Sequence, residues 1–128
     1  MGDYDATAIA LRGADDELIL ITNSRHAIYG FDQRMEAFGD KGMLRVENLT
    51  NTNVRLYTEH NAEVKEPYQN FFLERYMDSY RLELAEFIKR VNGQPSNSPD
   101  FEDGRSALVL ANAALESAQS GKTVAVQV

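Results

Sequence analysis

The sequence predicts an α+β domain: a two-layer, open, mostly antiparallel β-sheet with two helices packed on one face. Three observations predict it. Up to about residue 65, short β-compatible runs alternate with glycine-rich and polar turns. Beyond Pro67, apolar residues recur every three or four positions through two long segments, and the chain then closes on an alternating stretch.

The first two strands are predicted over 7–11 and 17–23, joined by the turn Gly13-Ala14-Asp15-Asp16. A second hairpin is predicted from 31–38 and 43–47 around Gly39-Asp40-Lys41-Gly42, where glycine supplies positive φ. Residues 48–53 form a polar loop. A third hairpin pairs 54–58 with 63–65 around Glu59-His60-Asn61-Ala62. The stripe Phe72, Tyr76, Tyr80, Leu84 and Phe87 then predicts a core-facing helix over about 71–91, stopped by Asn92-Gly93 with Pro95 beyond. After the loop 93–99, Asp100 is the expected N-cap of a helix that runs to about Ser120 and ends at Gly121. Glu102 and Asp103 lie in its first turn, where the helix dipole favours anions. Its small residues Ala107, Ala111, Ala114 and Ala118 would let a neighbour approach closely, and residues 123–128 close the chain as a strand.

Length and composition fit one domain with a core of its own: 128 residues, 43% hydrophobic and 26% charged. Within that core, Leu18-Ile19-Leu20-Ile21 is apolar on both faces of its strand. Helices cover only one face of a two-layer domain, so the other face is expected to meet another domain or subunit. A homo-oligomer through the sheet face is the simplest form of that expectation.

Charge and residue inventory exclude several classes of function. The net charge of −7 disfavours phosphate backbones and anionic membranes, so neither nucleic acid nor membrane is an expected partner. The absence of cysteine excludes disulfide scaffolds, thiolate metal sites and cysteine nucleophiles. The longest strongly apolar run, 18–21, is far short of a membrane span, and the start lacks a signal-peptide pattern, so a soluble, cytoplasmic protein is expected. His26 and His60, the only histidines, belong to no ligand-spaced cluster, and no metal site is expected. Glycine-rich nucleotide cradles and nucleophile elbows are absent. The triplet Asn48-Leu49-Thr50 matches a glycosylation acceptor, but without an export signal no modification is expected.

The densest polar and aromatic cluster runs from Asn23 to Arg34. Tyr29, Asp32, Gln33 and Arg34 offer the mixture of donors and acceptors that a polyhydroxylated ligand requires. The same residues also suit a solvated connection held by Arg–Asp pairs, with Tyr29 as a packing aromatic. From residue types alone both readings stand.

The segment Ser24-Arg25-His26-Ala27-Ile28-Tyr29-Gly30-Phe31-Asp32-Gln33-Arg34, continuing through Glu36, Phe38-Gly39 and Lys41-Gly42-Met43, resembles the S-R-x-A-x-Y-G-Y-D-Q-R-x-E-x-F-G-x-K-G-M stretch of inositol 2-dehydrogenases. These are members of the Gfo/Idh/MocA family of NAD(P)-dependent sugar and polyol oxidoreductases. Phe71-Phe72-Leu73-Glu74-Arg75-Tyr76 is similar to the F-F-L-E-R-Y helix start of that branch. Asp103-Gly104, Ala107, Ala113-Ala114, Ser117, Gly121-Lys122 and Val124 resemble the family's terminal helix and strand.

The resemblance implies the C-terminal domain of such an enzyme, over residues 1–128. It further implies an N-terminal Rossmann domain as partner, NAD(P) as the cofactor of the full-length protein with none bound to this chain, and a polyol substrate. Tyr29, Asp32 and Gln33 would be substrate-binding. The family's E-K-P lysine and Asp-x-x-x-His pair have no counterpart here, so no catalytic, cofactor-binding or metal residue is assigned, and this chain alone is expected to be inactive. Lys65-Glu66-Pro67 has the letters of E-K-P in another order and takes no role. Phe31 stands where the family usually carries a second tyrosine, which removes one hydroxyl. Inositol, another cyclitol and a sugar all remain open as substrate, as does a free-standing, non-catalytic binding or assembly module of the same fold.

Overall fold

The computed structural model describes residues 4–127. They form four strands and two helices: β1 (Ala6–Arg12), β2 (Leu18–Ser24), β3 (Met35–Gly39), β4 (Gly42–Val46), α1 (Phe72–Val91) and α2 (Phe101–Ser120). The α+β class is as predicted. Strand pairing, however, is confined to two hairpins, β1–β2 and β3–β4, rather than one continuous meander. The chain divides into two units, one of residues 4–6 with Asn23–Leu82, the other of Thr7–Thr22 with residues 83–127.

In the first unit, β3 and β4 pair antiparallel with Phe38 opposite Met43 and Gly39 opposite Gly42. Gly42 closes the turn at φ 142°, a conformation that favours glycine. The predicted strand 31–38 begins only at Met35, because the backbone ahead of it is committed elsewhere: Phe31 N–H donates to the Gln69 carbonyl at 2.9 Å and Gln33 N–H to the Asn48 side chain at 2.7 Å. The predicted third hairpin is reduced to one bridge, Leu56 with Val64. Its turn is closed by Thr58 N–H on the Asn61 carbonyl at 2.9 Å and by amides of His60 and Asn61 on the Thr58 hydroxyl. Glu63 then sits at φ 58°, outside strand geometry, which ends the ladder one residue before Val64. The first half of α1 belongs to this unit, and the Glu74 carboxylate receives Asn70 N–H at its start.

In the second unit, the β1–β2 turn is closed by Gly13 N–H on the Glu17 carbonyl at 2.9 Å, with Asp16 at φ 67°. Alternate residues of β1 (Thr7, Ile9 and Leu11) are half-buried, whereas every residue of β2 is exposed. Leu18 is 87% and Leu20 71% exposed. Helix α1 ends as predicted: Gly93 takes φ 69° and Gln94 N–H reaches back to the Lys89 carbonyl at 2.9 Å. Glu86 ties down the following loop, taking Asn97 N–H at 2.9 Å on its carboxylate, while its carbonyl accepts the Ser96 hydroxyl at 3.0 Å. Helix α2 has the complete capping box the sequence suggests, Asp100 on the amides of Glu102 and Asp103 and Asp103 on the Asp100 amide, and Gly121 caps its far end in the left-handed region.

Other expectations do not hold. The stretch 123–127 pairs with no described strand, although Val124 and Val126 keep the half-buried alternation of one; Val128 lies outside the described residues. Of the four small residues on α2, only Ala114 lies on its less exposed face, which is Ser106, Val109, Ala113, Ala114 and Ser117. Among the described residues no hydrophobic side chain is buried, so the core expected from composition is not formed. Leu84 and Phe87 of the α1 stripe stay 61% and 57% exposed. The stripe has the period of a core face, but periodicity specifies only which residues share a face, not what covers it.

Candidate functional site

The segment from Tyr29 to Arg34 is held in the first unit by its own glycine and by partners distant in sequence. Gly30, the one buried residue among those described, takes φ 122°. A Cβ there would lie 2.8 Å from the Tyr68 carbonyl oxygen and 2.9 Å from the Tyr68 Cβ, so no other residue fits without movement. The backbone at 69 bridges two loops, its carbonyl taking Phe31 N–H and its N–H donating to the Leu49 carbonyl at 3.0 Å.

Asp32 is the hub. Its carboxylate receives the Tyr29 hydroxyl at 2.6 Å, both Nε and Nη2 of Arg34 at 2.8 Å, and the Asn48 side-chain amide. The two-pronged Arg34 contact fixes the plane of the carboxylate. With 15% of its side chain exposed, Asp32 is held at a pKa of about 2, first by the Arg34 hydrogen bonds, then by Tyr29 and Asn48. The reciprocal effect raises the pKa of Tyr29, chiefly because its proton is engaged with a carboxylate. Arg34 is likewise raised by Asp32. At neutral pH the cluster is therefore a carboxylate, a phenol and a guanidinium, with no group poised to exchange a proton.

Aromatic rings brace the same segment. Tyr29 meets Tyr68 edge-on at 6.1 Å, and Phe31 meets Tyr76 edge-on at 5.5 Å. The Tyr76 hydroxyl donates to the Gln33 side-chain carbonyl. Of the three sequence-selected residues, Tyr29 and Asp32 are thus joined directly, while Gln33 is joined to Asp32 only through Asn48. Three residues that complete the arrangement carry no sequence mark of that role. Asn48 stands in a polar loop and a glycosylation triplet, Tyr76 in the apolar stripe and the F-F-L-E-R-Y motif, and Tyr68 in no motif at all.

The described residues hold no cluster of His, Asp or Glu suited to a metal ion, and no helix among them is long and apolar enough to cross a membrane. A dinucleotide fits no helix start here. The first turn of α2 is filled by the carboxylates of Asp100 and Asp103 and that of α1 by Glu74, which would repel a pyrophosphate.

Residues 2–126 match the family model described as the oxidoreductase family, C-terminal alpha/beta domain. The chain belongs to that family. A solved myo-inositol dehydrogenase from Corynebacterium glutamicum is 53% identical, superposes with a TM-score of 0.91 and is matched over 98% of this chain and 38% of its own. Myo-inositol 2-dehydrogenase of Thermotoga maritima is 42% identical over 123 residues, which is 96% of this chain and 36% of that protein. The myo-inositol dehydrogenase of Lactobacillus casei, solved with NAD(H) and myo-inositol, is 25% identical with a TM-score of 0.81, over 99% of this chain and 37% of its own. This oxidoreductase C-terminal domain thus spans little more than a third of the length of such relatives.

Proposed function

We propose that this chain is the substrate-side domain of an NAD(P)-dependent inositol 2-dehydrogenase-like oxidoreductase, and that Tyr29, Asp32 and Gln33 build one wall of its polyol pocket. The observation that carries the reading is the Asp32 hub. A carboxylate held ionised by Arg34 and Asn48 fixes the Tyr29 oxygen, and the Tyr76 hydroxyl fixes the Gln33 side-chain amide, as recognition of several ring hydroxyls requires. Phe31 supports the same geometry with its ring against Tyr76, a contact that needs no hydroxyl at position 31.

In oxidation of a polyol hydroxyl to a ketone, hydride leaves the ring carbon and a base takes the hydroxyl proton. Both the nicotinamide and that base belong to a nucleotide-binding domain outside these residues. Here the cluster binds and orients. The chain alone is inactive and holds no NAD(H), and it assembles with further copies through the exposed apolar face of β2.

Mixing the purified chain with a separately expressed nucleotide-binding domain of a relative should restore inositol-dependent NADH formation, with neither part active alone. Micromolar binding of NAD by the chain itself, seen by calorimetry, would overturn this reading. A mixture that stays inactive on inositol, other cyclitols and aldoses would favour a non-catalytic assembly module.

A further inference from the structure

Arg34 and Asn48, which both bond Asp32, also line a cleft of about 180 Å³ within the first unit. That is well above the ~10–15 Å³ that houses a single water. Its walls include Arg34, Arg45, Arg55 and Lys65, with Glu47 as the one acid and Tyr68 at one side. Four cations around one small cleft run against the field of a chain whose net charge is −7.

Two of the four are already neutralised. Arg34 is paired with Asp32, and Arg45 with Glu47 at 3.1 Å. Arg55 and Lys65 have no carboxylate within ion-pair distance among the described residues; Arg55 donates only to the neighbouring Val54 carbonyl at 2.9 Å. The guanidiniums also keep spare donors. Arg34 spends two of its N–H groups on Asp32, and a guanidinium carries five. Two uncompensated cations flanked by spare donors complement a doubly charged oxyanion. A single carboxylate would leave one positive charge unmatched, whereas a phosphate group supplies both the charge and three acceptor oxygens.

We propose that this cleft is a binding site for a phosphate group, either free or carried as a small phosphomonoester, with Arg55 and Lys65 supplying the charge and Arg34 and Arg45 the flanking donors. The site adjoins the polyol wall and shares Arg34, Asn48 and Tyr68 with it, whereas Arg45, Arg55 and Lys65 take no part in that wall.

The test titrates the purified chain with inorganic phosphate and with glycerol phosphate at constant ionic strength, read by calorimetry and by amide chemical shifts. Saturable binding is expected, with shifts concentrated at residues 45–48, 54–56 and 64–68. Arg55→Gln and Lys65→Gln should each weaken it about threefold to tenfold, as expected for loss of one charge-assisted contact. Lys122→Gln, remote in sequence and in the other unit, should leave it unchanged. Tighter binding of the monoester than of phosphate would identify a phosphorylated small molecule as the ligand, and the reverse would identify the free anion. Lys65 forms no ion pair among the described residues, so that variant keeps the test open should Arg55→Gln fail to fold. Non-saturable shifts, equal weakening by Lys122→Gln, or binding unaffected by both cleft variants would overturn the proposal.

Discussion

The Tyr29 hydroxyl donates to Asp32 at 2.6 Å, so one hydrogen bond ties the tyrosine to the carboxylate that orders its loop. The same carboxylate takes a two-pronged contact from Arg34, which makes Arg34 the larger influence on its ionisation. The two contacts should be separable by titration. Followed by carboxyl carbon shifts, Asp32 should titrate near a pKa of about 2, well below the ordinary 3.8. Tyr29→Phe should raise that midpoint slightly, and Arg34→Gln should raise it more.

The same depression has a consequence for stability, with a definite sign. A carboxyl whose folded pKa lies below its unfolded one stabilises the fold above the unfolded value and loses that contribution as pH falls through the folded one. Asp32 and Glu86 both titrate near 2, from ordinary values of 3.8 and 4.5, Glu86 chiefly through Lys89 and the Asn97 amide. Their contribution should therefore be complete at neutral pH and fade between about pH 4.5 and pH 2. Urea midpoints measured across that range should fall less steeply for Asp32→Asn than for the unaltered chain. Parallel slopes would show that the hub does not couple to folding.

Gly30 gives a sharper test of the loop. Its φ of 122° and the 2.8 Å approach of the Tyr68 carbonyl leave no room for a side chain. Gly30→Ala should destabilise the chain by about 1–3 kcal/mol, the usual cost of forcing such a conformation. The Tyr29–Asp32 hydrogen bond should loosen with it, seen as a rise in the Asp32 pKa. Gly39→Ala is the control, because a Cβ there meets nothing within 4 Å.

What the sequence made legible divides by range. Helix ends are local events: Asp100, Gly93 and Gly121 cap where their chemistry dictates, and the helix bounds fall within a residue of those expected. The hub is not local. Asn48 reaches Asp32 across 16 residues and Tyr76 reaches Gln33 across 43, distances over which no periodicity or turn rule operates. Motif resemblance marks the 29–34 segment and Tyr76 as separate stretches, but carries no sign that they meet and none of Asn48. The reduced third hairpin failed for a related reason: residue types allowed a strand over 63–65, and Glu63 instead adopted a left-handed conformation set by the turn before it.

Strand β2 supplies the prediction about assembly. Its apolar run 18–21 is exposed on both faces, with Leu18 and Leu20 the most open. An interface of standard size covers about 800 Å² per partner, so the exposed face of the two-stranded β1–β2 sheet would form its centre rather than its whole. Sedimentation should show a mass that rises with concentration, and Ile19→Lys or Leu20→Lys should return it to that of a monomer. A mass independent of concentration in the unaltered chain would remove the sheet face from the list of interfaces.

The last prediction addresses the polyol wall. Removing the Tyr29 hydroxyl leaves the ring free to keep its edge-on contact with Tyr68, so Tyr29→Phe tests the oxygen rather than the packing. In that variant Asp32 keeps Arg34 and Asn48, and the loop should stay ordered. A buried hydrogen bond to a ligand hydroxyl is worth about 0.5–1.5 kcal/mol. In the proposed enzyme, reconstituted with a relative's nucleotide-binding domain, Tyr29→Phe should therefore lower kcat/KM for inositol roughly threefold to tenfold. NADH affinity should be unchanged, because no residue of this cluster reaches the nucleotide in the proposed arrangement. If Tyr29→Phe left polyol kinetics intact and Tyr29→Ala lowered only the melting temperature, Tyr29 would be a packing residue. The wall would then have to be built from Gln33 and its neighbours.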